Sequence, residues 1–356
     1  MELIPGLPDD IARECLIRVP YAGFPAMASA CKGWKAEIEL PQFRSHRKSA
    51  GYSQTILVMA QAVLDPARSI GFANLCHVPV YRLTTFEPVS GSWSELPPPP
   101  EFSRGFPMFC QLAAAGSDLV VIGGLDPVSW EASSSVYIYS FITATWRRGA
   151  DMPGVRRSFF GCASDGDGMV FVAGGHDGEK NALRSAVAYL VGRDEWAALP
   201  DMARERDECK GIFHGGKFHV IGGYGTETQG RFEKSCEAFD AATRQWGPVR
   251  EDALTAGTCP RSCVDGDGDD HFYMCKDGDV LALRGSTWRV EAKIPGDVCN
   301  PSHVTKWQGK LLVIGSPTTG EPQEAYVLDL RTCAWTNVEL PEKFSGHVQV
   351  GCCVEI

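Results

Sequence analysis

The chain has 356 residues, 44% of them hydrophobic and 22% charged, proportions of a packed globular protein rather than a disordered one. A net charge of −10 argues against nucleic-acid binding, which draws on clustered Lys and Arg. No run reaches the roughly 18 apolar residues of a membrane-spanning helix, and the N-terminal MELIPGLPDDIARECL is acidic where a signal peptide would be basic. Most of the 14 cysteines are therefore expected as small buried hydrophobes of a cytoplasmic or nuclear protein, not as disulfides.

Residues 1–48 read as a small helical module. LPDDIARECLIRVP places Ile11, Ala12, Cys15, Leu16 and Val19 on one stripe at helical spacing. Pro8 stands near the helix start, Asp9 and Asp10 fall where the helix dipole favours acids, and Pro20 ends the run. A second stretch carries Phe24, Met27, Ala28 and Cys31 up to Gly33, and a third carries Trp34 and Ile38 before Pro41. Three short helices with few large apolar side chains make a thin core, so the stripe is expected to need a partner. Ile11, Leu16 and Trp34 could instead fill the module's own core, and for Trp34 both readings stand.

The string LPDDIARECLIRVP…FPAMASACKGWK resembles the F-box. That resemblance implies docking on the Skp adaptor of a cullin-based (SCF) ubiquitin ligase. Carried over by position, it assigns Leu7, Pro8, Ile11, Leu16, Val19 and Pro20 to the adaptor, with Cys15 and Trp34 as additions.

From residue 49 the chain repeats. Trp93, Trp146, Trp196, Trp246, Trp288 and Trp335 recur at intervals of 42 to 53 residues. Seven residues before each stands Phe86, Tyr139, Tyr189, Phe239, Leu281 or Leu328; a turn-tolerant residue stands three before each except at Arg193. DLVVIGG (118–124), MVFVAGG (169–175) and KFHVIGG (217–223) are apolar runs ending in a Gly pair, which marks a bulge or close approach. HFYMCKDG (271–278) and KLLVIGS (310–316) keep traces of it, and TILVMAQ (55–61) keeps none. A Gly pair matched to one large ring per repeat suggests aromatic packing between neighbouring units.

This pattern resembles the kelch repeat, which implies a propeller of four-stranded blades. With strands a to d counted from the axis outward, the first copy lacks strand a, and HVQVGCCVEI (347–356) is an alternating strand left over at the end. The tail is therefore expected to supply the missing strand and close the ring, which removes exposed edges. The fold expected is mainly β: a six-bladed kelch propeller over 49–356, closed by the C-terminal strand and preceded by an all-α F-box domain over 1–48.

In such blades the b–c and d–a connections share one face. The chain enters blade 1 at strand b, on the other face, so target capture is expected away from the F-box side. The d–a loops carry Arg104, Arg156, Arg157, Arg204, Arg206 and Arg261. An Arg-lined mouth gripping carboxylates bidentately is one reading; bracing against Asp151, Asp201 or Glu205 is the other. The b–c loops add Trp130, His176 and Tyr224, and aromatics beside Arg are the composition of an interface hot spot.

Catalytic signals are weak. His271, Tyr273 and Cys275 lack the second His of a copper site, and Cys259, Cys263, His271 and Cys275 have no finger spacing. GDGDD (266–270) reads as a hairpin turn rather than a calcium loop. No cofactor, metal, catalysis, nucleic-acid or membrane partner is expected; a propeller scaffold or a metal-dependent specifier-type enzyme is the alternative. With both modules the chain resembles the plant F-box/kelch-repeat proteins. GADMPGVRRSFF, GGHDGEKNALRSAVAY and LPDMARERDECKGIFH are similar to the Kiss Me Deadly subgroup. That implies an SCF substrate receptor with phenylalanine ammonia-lyase and type-B response regulators as targets, restraining phenylpropanoid synthesis and cytokinin signalling.

Overall fold

The computed structural model describes residues 2–63, 79–266, 272–318 and 321–356. GDGDD falls largely, and His271 wholly, outside them. Four short α-helices come first: α1 (Asp9–Leu16), α2 (Phe24–Ala30), α3 (Lys32–Ile38) and α4 (Pro41–Ser49). The sequence pattern suggested three. Pro41 does not stop the run but opens a new helix at its first position, where the missing N–H is harmless.

Six four-stranded antiparallel sheets follow. Blade 1 is ordered Val348–Glu355, Thr55–Ala62, Tyr81–Glu87 and Ser92–Glu95, so the last strand of the chain lies innermost in the first blade. It pairs Leu57 with Cys353 and Val58 with Cys352, and Gln54 and Ile356 exchange backbone hydrogen bonds of 2.8 and 2.9 Å beyond it. The other inner strands are Gln111–Ala115, Gly161–Ser164, Lys210–His214, Val264–Asp265 and Asn300–Trp307. Each touches the next around the axis, and Asn300–Trp307 returns to Val348–Glu355, which closes the ring.

Five of the six repeating tryptophans staple blade to blade, while the Trp335 indole N–H is buried without a partner among the described residues. Trp146 Nε1 donates to the Pro97 carbonyl at 2.6 Å, Trp196 to Ala150 at 2.8 Å, Trp246 to Pro200 at 2.6 Å and Trp288 to Ala253 at 2.9 Å. Trp93 reaches Glu339, in the connection from blade 6 to blade 1, at 3.1 Å. Each acceptor lies just after the outer strand of the preceding blade, so one ring both packs and satisfies a backbone carbonyl. The residue seven before the tryptophan is its direct cross-strand partner, as in Phe86↔Trp93 and Tyr189↔Trp196. Blade 5 differs: Trp288 faces Leu283, because a tight turn at Gly285 shortens the connection.

The Gly pairs meet backbone more than rings. A Cβ on Gly124 would lie 2.7 Å from the Met108 carbonyl, and one on Gly223 would lie 2.6 Å from that of Asp207. Both glycines also hold positive φ, so other residues there would be strained as well as crowded. The aromatic reading holds at Gly123, whose Cβ would sit 3.2 Å from the Phe160 ring.

The helices pack on the face of the a–b and c–d turns. Tyr21 meets the Phe141 ring edge-on at 6.1 Å, and Arg44 reaches Asp167 in the blade 3 turn at 2.8 Å. Phe24, Met27, Ile38 and Phe43 share one buried cluster with Tyr139, Phe141 and Ile142 of blade 2. Arg47, 1% exposed, donates to the carbonyls of Ile17, Val19 and Tyr52 and lies over the Phe24 ring. Burial pushes its guanidinium down to about 10.

Removing residues 347–356 leaves Thr55–Ala62 as an open edge and blade 1 without its inner strand. The truncated chain is expected to lose its single cooperative thermal transition and to aggregate, read by calorimetry and light scattering.

Candidate functional site

Two surfaces carry the sequence-assigned residues. On the helical module the apolar stripe splits. Ala12 and Leu16 turn inward with Ile17, while Ile11 is 47% exposed and Cys15, Pro8 and Pro20 are exposed too. Leu16, at 3% exposure, is a correction: it fills the module's core and offers nothing to a partner. Leu7, Val19 and Trp34 are half-buried, and Trp34 Nε1 donates to the Leu3 carbonyl at 2.7 Å. Leu40, 44% exposed, is an outward apolar residue that the stripe did not flag.

On the opposite face, the recurring arginines separate into two kinds. Arg157 and Arg206 are 2% and 1% exposed. Arg157 donates to the carbonyls of Gly174 and Ser185 and to Ser185 Oγ at 2.8–3.1 Å. Arg206 repeats this one blade on, toward Gly222 and Ser235, and adds an ion pair of 3.2 Å with buried Glu237. Both are corrected from mouth residues to braces, because the carbonyls freed where the Gly pair ends its strand need buried donors. Arg204 bridges Glu233 at 3.1 Å and Glu251 at 2.7 Å. Arg104, Arg156 and Arg261 stay exposed, with no ion pair among the described residues.

His176 and Tyr224 are also corrected to buried positions, 9% and 6% exposed. His176 sits 2.8 Å from Ser158 Oγ through Nε2 and 2.8 Å from Asp207 Oδ2 through Nδ1. That is the order of a Ser–His–Asp hydrolytic triad. Ser158 is only 3% exposed, however, and the three residues come from two d–a segments and the b–c loop between them. The constellation locks blade 3 to blade 4. Tyr224 donates to Glu208 Oε1 at 3.0 Å, and burial with the neighbouring carboxylates raises its phenol well above the ordinary range.

Trp130, 56% exposed and at φ +60, stands out from this face together with Val128 and Val155. A cleft joins its loop to the next connection, with Asp126, Ser129 and Glu131 on one side and Asp151 and Arg156 on the other. At the axis lies a cavity of about 70 Å³ walled by Phe109, Phe159, Glu208, Lys210, Arg261 and Gln349 among others. Phe109, Phe159 and Glu208 hold the equivalent position ahead of three inner strands, all at φ between 49° and 56°. Lys210 and these ring positions escaped sequence reasoning, since only ring closure brings them together.

Below the mouth, burial pushes the thiols of Cys162 and Cys263 up to about 12, so they stay protonated as small apolar groups. Among the described residues no three His, Cys, Asp or Glu side chains converge as metal ligands.

The architecture is that of a kelch propeller preceded by a small helical module. The Kelch motif model matches residues 109–153 and 156–203, which span blades 2 and 3 with their leading connections. The F-box/kelch-repeat protein At1g80440 of Arabidopsis thaliana is 50% identical over 363 residues, covering all of both chains. At1g15670 of the same plant is 50% identical over 360 residues, again end to end. At2g44130 is 36% identical over 75% of this chain and 69% of its own length. The chain belongs to the F-box/kelch-repeat proteins. Membership supports a substrate-receptor role in SCF ubiquitin ligases, with a Skp-type adaptor and a cullin as general partners.

The two kinds of arginine separate experimentally. Arg206→Met leaves buried Glu237 without its counter-ion, with only the Ala203 and Arg204 N–H groups to hold it, and is expected to cost about 3–5 kcal/mol of stability in a denaturant titration. Arg156→Ala is expected to stay within about 0.5 kcal/mol of the parent.

Proposed function

We propose that the protein is a non-catalytic substrate-recognition subunit of an SCF ubiquitin ligase, with α1 and its flanks docking on the Skp-type adaptor. The observation that carries the adaptor reading is the outward half of the α1 stripe. Ile11 and Cys15 face solvent on a helix whose other apolar side is already filled, and Pro8 and Pro20 flank them. An exposed apolar strip on a small module marks an interaction site. Leu7, Val19 and Trp34 would form its half-buried margin.

The propeller would capture proteins on the face of its b–c and d–a connections, away from the helices. Trp130, Arg104, Arg156 and Arg261 are the free hot-spot residues there. Likeness to the Kiss Me Deadly subgroup supports phenylalanine ammonia-lyase and type-B response regulators as targets, and with them restraint of phenylpropanoid synthesis and cytokinin signalling. The protein would work in the cytoplasm and nucleus.

Pro8→Ala with Ile11→Asp is expected to abolish co-purification of the adaptor while the melting temperature stays put. Retained adaptor binding in a folded double variant would sink the docking assignment. On the propeller, Trp130→Ala with Arg156→Glu is expected to weaken retention of target proteins by a helix-deleted chain. Unchanged retention would move the capture site elsewhere.

A further inference from the structure

Two cations converge on the propeller axis, and neither is ion-paired among the described residues. Lys210 opens the inner strand of blade 4 and lines both the mouth cavity and the channel beneath it. It is half-buried, and burial pushes its ammonium below the ordinary lysine range; Arg261 adds to that push and Asp265 opposes it. Arg261 stands exposed at the rim, close enough to act on the charges of Tyr81 and His347 across the axis. Neither cation has a hydrogen bond or ion pair among the described residues.

The neighbours are all engaged. Lys306, deeper in the channel, has Asp265 at 3.3 Å. Glu208 on the cavity wall accepts the Tyr224 phenol, and the Gln349 carbonyl oxygen accepts the Phe109 N–H at 2.8 Å. His303 is driven down to about 3, chiefly by burial, and is neutral at physiological pH. The mouth therefore carries two positive charges, Lys210 and Arg261, against one negative, Glu208. A half-buried cation left unpaired opposes folding, so such a position is most economical where a ligand completes it.

We infer that this mouth seats a single carboxylate of the captured protein, with Lys210 beneath it and Arg261 closing over it. A cavity of about 70 Å³ has room for the carboxylate of an Asp or Glu, so one side chain enters and the rest of the target lies on the rim. Its one surplus positive charge matches a monoanion. A phosphate carries nearly two negative charges and would meet Glu208 uncompensated. The inference rests on the b–c and d–a face being the target side, and it does not depend on adaptor docking.

The first test uses sodium acetate as the probe on the full chain, with sodium chloride and sodium phosphate at matched ionic strength. Acetate is expected to raise the melting temperature above chloride and phosphate, as a ligand of the folded state does. Lys210→Met is expected to abolish that difference and to raise the melting temperature of the free protein. A second arm uses immobilised short peptides bearing one Glu, one Gln or one phosphoserine. The Glu peptides should hold the parent chain about tenfold better than the Gln peptides, and the Lys210→Met chain no better. Equal retention of Glu and Gln peptides, or a Lys210→Met chain that melts lower as a lost brace would, overturns the inference. Preference for phosphate or phosphoserine overturns the carboxylate assignment. Adaptor co-purification from the same samples reports docking separately, so failure here leaves the receptor reading standing.

Discussion

Ring closure is the constraint from which the rest of the molecule follows. Blade 1 takes its inner strand from residues 348–355, so that blade is complete, and the ring closed, only when both ends of the propeller chain have met. Because parallel stacking of blades cannot hide a strand edge, the ring must close on itself or present one to solvent. The same meeting point anchors the helices. Glu355 accepts Lys48 Nζ at 2.6 Å and Ser53 Oγ at 2.9 Å, one residue from where Ile356 pairs with Gln54. Closure and attachment of the docking module are thus one structural event, and Arg47 and the Arg44–Asp167 pair hold the helices against the ring once it has formed.

Within the ring one difficulty recurs at two radii. Connections between blades turn back across their neighbours and leave carbonyls outside the sheets. At the outer edge an indole N–H answers them, and at the inner end of strand b an arginine does so in blades 3 and 4. A guanidinium suits the second place because its planar fork can serve two carbonyls and a hydroxyl together. This changes how recurrence should be read. A residue that returns once per blade is answering a need that each blade has. Arg157 and Arg206 recur for that reason, whereas Trp130, Arg156 and Lys210 have no counterpart in that bracing scheme.

Blade number and the closing strand were legible because a fixed period with one strand missing and one left over has a single economical solution. The staples were visible as tryptophans, though not the carbonyls they serve. What the sequence hid was direction and convergence. The α1 stripe holds Ile11 and Leu16 alike, yet one faces solvent and the other the core, since a stripe wider than the contact must spill outward on one side. Pro41 reads as a stop or a start with equal right until its backbone is seen. Ser158, His176 and Asp207 are spread over 50 residues and meet only because their turns do. Lys210 reads as the polar end of an ordinary strand, KGIFH; its surroundings are set by six inner strands brought to one axis.

Electrostatics sharpens the contrast between the whole and its centre. The chain carries a net charge of −10, so a cation on its surface would ordinarily find a carboxylate, as Arg204 finds two. Lys210 and Arg261 form no ion pair among the described residues, although Asp265 and Glu208 are near; Asp265 pairs with Lys306 and Glu208 accepts the Tyr224 phenol. Low-dielectric walls of Phe109 and Phe159 concentrate the remaining field at the mouth instead of letting solvent disperse it. The mouth thus offers Lys210 and Arg261 to a single incoming carboxylate. Such an arrangement would select by position rather than by overall charge.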